Sequence, residues 1–361
     1  MSEPSRVSPR PALVDQRDPL NVEADLSLLD SMITPPDRFF VRTHFDVPQI
    51  ASDGYRLVID GHVTQPRSLT LPELSALAED EVTATLECAG NGRANLETPV
   101  AGLQWAGGAV GTGQWRGVRL GRLLEMAGVR DGAESVLLSG ADEGAVAAVP
   151  DGPVRFERSL PLAKAIRPEV LVATTMSGEP LPSALGGPVR AIVGGWYGMA
   201  SVKWLTRITV TEVPGNGHWE TTDYSYVVAD PPGVPSRRPI TGILPKAQIA
   251  TPVAGATVPA GAGVPVRGFA WAGEARVARV DVSDDDGATW VAARLLDEPE
   301  PGRWTRWVLD WRPDRAGERS LLVRCEDDRG RTQPMVRDRG RGGYLVNEVV
   351  PHPVTVEDAR G

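Results

Sequence analysis

A proline-dense stretch, residues 230–239, divides this chain of 361 residues into two parts with different patterns. Before it, apolar residues follow both helical and strand-like spacing, whereas strand-like runs dominate after about Pro245. A chain of this length exceeds the size that one hydrophobic core usually serves, so two domains are expected. We predict a polar, loosely attached N-terminal arm over residues 1–35, a first domain over residues 36–240 and a second domain over residues 245–361.

The first domain carries signals for helices and for strands. Residues 71–78 are predicted to form a helix with Thr70 as its N-cap, and residues 118–127 a second helix that stops at Gly128. The runs that predict strands are residues 55–59, 135–138, 189–193 and 203–212. These signals indicate an α+β fold, in the form of a mixed, β-rich domain.

The second domain carries strand signals at short intervals. Turn clusters such as residues 284–287 separate the apolar runs, and this spacing is typical of a β-sandwich. The predicted strands are residues 264–270, 278–283, 290–295, 304–311 and 320–326.

Composition and charge argue against several classes of function. Hydrophobic residues make up 41% and charged residues 24% of the chain, as in folded globular proteins. The net charge of −9 argues against a nucleic-acid groove as the main partner. Residues 191–202, the longest apolar-leaning run, fall well short of the roughly 20 residues of a membrane helix, and residues 1–18 lack the apolar segment of a secretion signal. We expect a cytoplasmic protein with no nucleic-acid partner and no membrane insertion.

Cys88 is the residue with the clearest potential for chemistry. The chain has two cysteines, Cys88 and Cys325, so the sequence offers no disulfide framework or zinc ribbon. Cys88 lies among small residues after an apolar strand, in the run Thr-Leu-Glu-Cys-Ala-Gly-Asn-Gly-Arg of residues 85–93. A soft thiolate is a natural ligand for a soft or high-valent metal, and Arg93 would help to keep it ionised.

Two other roles for Cys88 stay open at this point. A free cysteine most often acts as a small buried hydrophobe. A cysteine nucleophile would need a histidine base, for which the chain offers four candidates. These are His44, His62, His218 and His352.

A series of motifs in fixed order narrows these possibilities. In the first domain they are Phe-Val-Arg-Thr-His (40–44), Glu-Cys-Ala-Gly-Asn-Gly-Arg (87–93), Gly-Leu-Gln-Trp (102–105), Gly-Ala-Val-Gly-Thr (108–112), Trp-Arg-Gly-Val-Arg-Leu (115–120), Ser-Leu-Pro-Leu (159–162), Met-Ser-Gly-Glu-Pro-Leu-Pro (176–182), Pro-Val-Arg (188–190) and Ser-Val-Lys-Trp (201–204). In the second domain they are Phe-Ala-Trp (269–271), Val-Asp-Val-Ser (280–283) and Gly-Ala-Thr-Trp (287–290). From Phe39 onward the chain resembles the sulfite oxidase-like molybdenum oxidoreductases.

The resemblance implies a molybdenum-molybdopterin cofactor, with Cys88 as the sole protein ligand to the metal. Arg42 and Arg93 would line a pocket for a small anion, since the arginine fork suits an oxyanion. Arg276 is a candidate for a third pocket arginine reaching in from the second domain, and an exposed strand charge is the alternative. The residues expected to hold the cofactor are Phe40, Arg42, His44, Asp142, Arg190, Ser201 and Lys203.

The resemblance also implies an immunoglobulin-like dimerisation domain after residue 245, and hence a homodimer. No Cys-x-x-Cys-His haem attachment occurs in the chain, so electrons are expected to pass to or from a separate partner.

Three positions depart from the family pattern. Phe156 aligns with a tyrosine close to the substrate oxygen, and a phenyl ring cannot donate a hydrogen bond or move a proton. Leu185 replaces a pterin-contacting histidine, and Ala101 replaces a lysine near the anion pocket. The substrate is therefore less firmly predicted than the cofactor.

The leading hypothesis is an oxidoreductase that transfers an oxygen atom between water and a small oxyanion or sulfur compound. A reductase of S-oxides or N-oxides with the same cofactor is an alternative, which the Phe156 replacement favours. A cofactor-binding or scaffold homologue without turnover is the alternative from a different class.

Overall fold

The computed structural model describes residues 13–230 and 234–358, which form two strand-rich units. The elements of the first unit are β1 (Asp15–Arg17), β2 (Leu20–Val22), β3 (Val41–Arg42), β4 (Arg56–Gly61), β5 (Arg67–Thr70), α1 (Leu71–Leu77), β6 (Asp80–Glu87), β7 (Val110–Arg119), α2 (Leu120–Ala127), β8 (Ser135–Val146), β9 (Val149–Pro161), α3 (Leu162–Ala165), β10 (Val170–Met176), β11 (Glu179–Pro180), β12 (Arg190–Val193), β13 (Leu205–Thr211), α4 (His218–Thr221), β14 (Ser225–Asp230) and β15 (Val234–Pro239). Those of the second unit are β16 (Lys246–Thr251), β17 (Ala256–Pro259), β18 (Val264–Trp271), β19 (Val277–Ser283), β20 (Val291–Ala292), β21 (Arg294–Leu295), β22 (Thr305–Trp311), β23 (Gly317–Asp327) and β24 (His352–Glu357).

The first unit is built on two five-stranded sheets. One has the order β5-β4-β13-β8-β9, and the other runs β11-β10-β7-β6, with β12 also paired to β10. Strand β6 lies at the edge of its sheet, with β7 as its antiparallel neighbour. Helices and strands share one core, which confirms the predicted α+β class.

The two predicted helices are present. Thr70 caps α1 through a capping box: its hydroxyl accepts the Glu73 backbone N–H, and the Glu73 carboxylate accepts the Thr70 N–H at 2.7 Å. Helix α2 begins at Leu120, two residues later than predicted, because residues 118–119 complete β7. It ends as predicted at Gly128, whose φ of +66° is favourable for glycine.

The N-terminal arm is attached more firmly than the sequence indicates. Residues 1–12 lie outside the described residues. From Asp15 onward the segment forms β1 and β2, and β2 pairs with β3. The buried carboxylate of Glu23 then accepts the backbone N–H groups of Val14, Ala106, Gly107 and Gly108 at 2.5 to 3.1 Å. A loosely attached arm is therefore wrong for the described part of this segment.

The described part of the proline-dense stretch, residues 230 and 234–239, lies in strands. Residues 234–239 form β15, which pairs with β14 in a two-stranded antiparallel ribbon. Each strand of such a ribbon has a free edge, so Pro235 and Pro239 can lie where no ladder N–H is required. The sequence signal for a break in the chain thus marks the return strand of a hairpin.

The second unit is a β-sandwich of two sheets, as predicted. One sheet has the order β16-β18-β22-β21 and the other β17-β24-β23-β19-β20. Four predicted runs correspond to β18, β19, β22 and β23, while residues 290–295 divide into β20 and β21. Phe269, Trp271 and Trp304 of this unit are buried in the core cluster of the first unit, so the two units share an apolar contact.

No helix among the described residues has the length and hydrophobicity needed to cross a membrane.

Candidate functional site

Cys88 follows the last residue of β6 and begins a tight loop. Its backbone N–H donates to the carbonyl of Ala109 at 2.9 Å, and its own carbonyl accepts the N–H of Asn91 at 2.9 Å. Gly92, with φ of +92°, turns the chain away into the next short helix. The residue is 8% exposed and lines a cavity in the first unit. The cysteine that the sequence singles out therefore faces open space.

The same cavity collects most of the predicted site residues. Those that line it are Phe40, Arg42, His44, Cys88, Asp142, Arg190, Ser201 and Lys203. They come from β3, β8 and β12, from the residue that precedes β3, and from the loops after β3, β6 and β12, so residues distant in sequence are brought to one place.

Three cationic side chains give the cavity a positive character. Arg190 donates to the carbonyls of Leu185 at 2.7 Å and Ser201 at 3.0 Å, and burial lowers its pKa to about 9. Lys203 donates to the Ala184 carbonyl at 3.0 Å. Burial, with the nearby Arg190 guanidinium, holds the pKa of Lys203 well below its usual value. Arg42 also lines the cavity, so three cations line one concave surface.

Asp142 adds one carboxyl group to this cationic surface. Its Oδ1 atom is buried and has no hydrogen-bond partner in the protein. Burial raises its pKa to about 6, an effect that Lys203 opposes. A buried polar atom without a partner is costly, so Asp142 is an available group for a polar ligand in the cavity.

His44 and Tyr224 form a hydrogen-bonded pair in the cavity wall. The imidazole Nε2 and the phenol hydroxyl are 2.6 Å apart, and either group can be the donor, depending on the imidazole tautomer. Burial, followed by the charge of Arg42, holds the pKa of His44 well below 6.5, and burial raises the pKa of Tyr224. Both groups are therefore neutral at neutral pH, with a proton between them.

Tyr224 is a residue that the sequence prediction missed. Its φ of +51° is uncommon for a bulky residue, and such strained backbones occur often at functional sites. Phe156 lies in the cavity as expected, stacked on His44 with ring centroids 4.7 Å apart. Tyr224 therefore supplies, from a different segment, a hydroxyl of the kind that Phe156 lacks. This also removes the reason for favouring a reductase.

The other two departures from the family pattern lie in different surroundings. Leu185 is buried in the cavity wall, where the predicted loss of an imidazole contact would apply. Ala101 is exposed and does not line the cavity.

Two predicted arginines do not line the cavity. Arg93 is buried behind it, where it donates to the carbonyls of Leu103 and Gly343 and lies over the Tyr344 ring at 5.3 Å. Tyr344 in turn packs against Tyr224, with centroids 5.3 Å apart. Arg276 is exposed in the turn before β19, where its backbone N–H donates to Asp328. In the structure Arg276 is thus exposed, as the alternative expects, although it precedes the strand and does not lie on it.

Comparison with known proteins agrees with this geometry. A family model described as oxidoreductase molybdopterin binding domain matches residues 44–219, and one described as Mo-co oxidoreductase dimerisation domain matches residues 238–347. The chain is 37% identical to sulfite oxidase of Gallus gallus over 339 residues, which cover 89% of this chain and 72% of that protein. It is 38% identical to mitochondrial sulfite oxidase of Homo sapiens, over 90% of this chain and 62% of that protein.

A solved structure extends the similarity to the whole fold. The crystal structure of the sulfane dehydrogenase SoxCD from Paracoccus pantotrophus matches with a TM-score of 0.82 and 29% identity, covering 96% of this chain and 89% of that one. The family models and the relatives agree on the cofactor that the Cys88 cavity was expected to hold. The chain belongs to the sulfite oxidase family of molybdopterin-dependent oxidoreductases.

Proposed function

We propose that this protein oxidises a small sulfur oxyanion, with sulfite as the first candidate. The observation that carries the proposal is the hydrogen-bonded pair of His44 and Tyr224, which lies in the same cavity as Arg42 and Cys88. A guanidinium and a neutral proton donor are the groups that recognition of a small oxyanion requires. The relatives named sulfite oxidase support the choice of sulfite.

The residues of the cavity fit a molybdenum-pterin cofactor. Cys88 offers a sulfur donor for the metal, the unpartnered Oδ1 of Asp142 offers an acceptor, and the basic side chains of Arg190 and Lys203 suit a phosphate group. We infer that Cys88 binds the metal and that the other residues hold the pterin and its phosphate. These residues are Phe40, Arg42, His44, Asp142, Arg190, Ser201 and Lys203. When bound, the cofactor supplies the two-electron redox chemistry.

The protein's own groups have separable roles in the reaction that we propose. Sulfite gains one oxygen atom from water and releases two electrons and two protons when it becomes sulfate. Arg42 binds the anion and offsets its charge as it approaches. Tyr224 donates a hydrogen bond to an oxygen of the substrate, and His44, held neutral by burial, accepts or returns a proton through that hydroxyl.

Arg93 has a supporting role in this scheme. Its guanidinium lies against Tyr344, and the Tyr344 ring packs on the ring of Tyr224. A fixed positive charge behind the wall adds to the attraction for an anion without contacting it.

We also propose how the protein passes on electrons, how it associates and where in the cell it lies. Electrons pass to a separate acceptor, and the dimerisation domain joins two copies of the chain. We further propose domain limits of 1–35, 36–240 and 245–361. An immunoglobulin-like class for the sandwich is supported by its two antiparallel-rich sheets. A cytoplasmic location is supported by the two cysteines, which are free thiols in the structure.

The test follows the visible absorption of the purified holoprotein when sulfite is added without oxygen. We expect rapid loss of the charge-transfer bands, followed by turnover once an electron acceptor is supplied. Cys88→Ser should lose molybdenum and activity, whereas the matched variant Cys325→Ala, altered at a cysteine outside the cavity, should keep both. Parent-level molybdenum in Cys88→Ser would refute the assignment of the ligand. An unreduced chromophore in the parent would refute sulfite as substrate and leave the cofactor assignment intact.

A further inference from the structure

The loop that carries Cys88 is held from outside its own domain. Four hydrogen bonds to residues 87–91 come from the second unit, and their donors are Lys246, Trp271 and Leu345. The contact between the two units therefore reaches the residues immediately beside the metal ligand.

Glu87, which precedes Cys88, is at the centre of this contact. Its side chain is 2% exposed. Oε2 accepts the indole N–H of Trp271 at 2.8 Å, and Oε1 accepts from the Lys246 ammonium at 3.2 Å and the Asn91 side-chain amide at 3.1 Å. Lys246 and Trp271 are direct partners across β16 and β18, so one site on the sandwich presents both donors.

Two more bonds fix the backbone of the loop on the far side of Cys88. Lys246 also donates to the Asn91 carbonyl at 2.9 Å, and the N–H of Leu345 donates to the Ala89 carbonyl at 2.9 Å. Two carbonyls of the loop, those of Ala89 and Asn91, are therefore bonded to the second unit.

The second unit also closes the free edge of β6. The N–H of Thr85 donates to the Gly302 carbonyl at 2.7 Å, and the N–H of Trp304 donates to the Thr85 hydroxyl at 2.7 Å. The end of β6 is thus held by its neighbour β7 on one side and by the second unit on the other.

We propose that Lys246 and Trp271, acting through Glu87, are positioning residues that fix the place and exposure of the Cys88 sulfur. The inference deepens the proposed function, on which the role of Cys88 as metal ligand rests. It assigns to the dimerisation domain a part in building the metal site of its own chain, in addition to association between chains.

The physical basis is the cost of a buried charge. A carboxylate at 2% exposure is strongly unfavourable unless charged or N–H donors surround it. Removing Lys246 or the Trp271 N–H leaves the Glu87 carboxylate with fewer hydrogen-bond donors. Movement of the carboxylate toward water then lowers its free energy. Since Cys88 is the next residue, its sulfur moves with it, and small displacements of a reacting centre are costly.

The test uses the full chain prepared without the molybdenum cofactor, so that it does not depend on the proposed activity. Native-state labelling with a chromogenic disulfide reagent measures how often the Cys88 sulfur becomes accessible, and peptide mapping separates it from Cys325. We expect Lys246→Met and Trp271→Phe to raise the labelling rate of Cys88 at least about five-fold. Trp271→Phe retains an aromatic ring, so it tests the lost N–H even if Lys246→Met does not fold.

Lys164→Met is the matched control. Lys164 is a buried lysine that also pairs across the two units, with Glu274 of the second unit at 2.6 Å, and its bonds go to Glu169, Gly194 and Glu274. We expect this variant to lose stability while the labelling rate of Cys88 stays within about two-fold of the parent. Equal acceleration by Lys246→Met and Lys164→Met, or none by either Glu87 partner, would overturn the proposal.

The loaded protein gives a second readout. We expect Trp271→Phe to shift the sulfur-to-metal absorption band and to lower kcat more than it changes KM, which a loss of stability alone would not do. A parent holoprotein that fails to oxidise sulfite would refute the proposed function and leave the labelling result unchanged. The two failures are therefore distinguishable.

Discussion

The Nε2 atom of His44 and the hydroxyl oxygen of Tyr224 are 2.6 Å apart, although 180 residues separate them in the chain. His44 follows β3, at the start of the first unit, and Tyr224 precedes the β14–β15 hairpin near its end. The pair forms only when the first unit is folded around the cavity, so proton donation at this site depends on tertiary structure.

Replacement of the phenol tests that pair. Tyr224→Phe keeps the ring contacts with Trp219 and Tyr344 and removes the hydroxyl. We expect kcat for sulfite to fall about 10²- to 10⁴-fold, the usual contribution of a positioned proton-transfer group. Steady-state kinetics checks this, with Tyr55→Phe as control, since the buried Tyr55 hydroxyl bonds the Leu205 carbonyl outside the cavity. Equal kcat values for Tyr224→Phe and the parent would contradict the assigned role.

The charge of Arg42 is testable by its effect on affinity. Arg42→Met removes a guanidinium from the cavity wall, and we expect KM for sulfite to rise roughly ten- to hundred-fold, as for loss of one charge-assisted hydrogen bond. The rise should shrink at high salt. Arg56→Met, at an exposed position on β4, is the matched charge change and should leave KM as in the parent. A parent-like KM in Arg42→Met would show that the anion binds elsewhere.

The carboxyl of Asp142 predicts a pH dependence of stability in protein prepared without the cofactor. Its pKa is raised to about 6 in the folded state, so the folded form binds this proton more tightly than the unfolded form. The stabilisation is complete below the unfolded pKa near 4 and is lost as pH rises through about 6, with a total of at most about 3 kcal/mol.

Asp142→Asn isolates this effect. The asparagine variant should show no such loss between pH 4 and 6, and above pH 6 it should unfold at a higher temperature than the parent. Thermal unfolding at a series of pH values measures both curves. Parallel curves for the two proteins would mean that another group carries the dependence.

The carboxylate of Glu23 is predicted to fasten the N-terminal segment. Glu23→Gln leaves amide hydrogens facing two of the four backbone N–H groups, and we expect a loss of about 2–4 kcal/mol in the free energy of unfolding. Urea unfolding measures it. Glu73→Gln, at the exposed capping box of α1, should cost much less. Equal losses for the two variants would show that Glu23 is not a structural anchor.

Local signals explain how much of this fold the sequence predicts. Helix α1 is bounded by its capping box and α2 by Gly128, and both signals act within a few residues. The strands of the sandwich follow from apolar runs between turn clusters. From the sequence, the proline-dense stretch indicates a break between domains, because proline is unfavourable in a central strand. A two-stranded ribbon accepts proline, since the outer edge of each strand needs no ladder hydrogen bond.

Tertiary contacts explain what the sequence does not predict in the site. Tyr224 lies in a short segment without periodicity, and Arg158 helps to hold that segment by donating to the carbonyls of Trp219 and Ile240. Nothing local to Tyr224 indicates that it reaches the cavity. The sequence does not predict the position of Arg276 in the turn before β19, because that turn is held by a hydrogen bond to Asp328 in a later loop.

The contact between the sandwich and the Cys88 loop has a consequence for protein engineering. A chimera that takes its first domain from this chain and its second from a relative would place foreign side chains around the carboxylate of Glu87. Recombination between homologues should therefore keep the conformation of the Cys88 loop only where the loop and the residues at positions 246 and 271 come from the same parent. The hydrogen bonds that hold the Cys88 loop thus come from side chains of both domains.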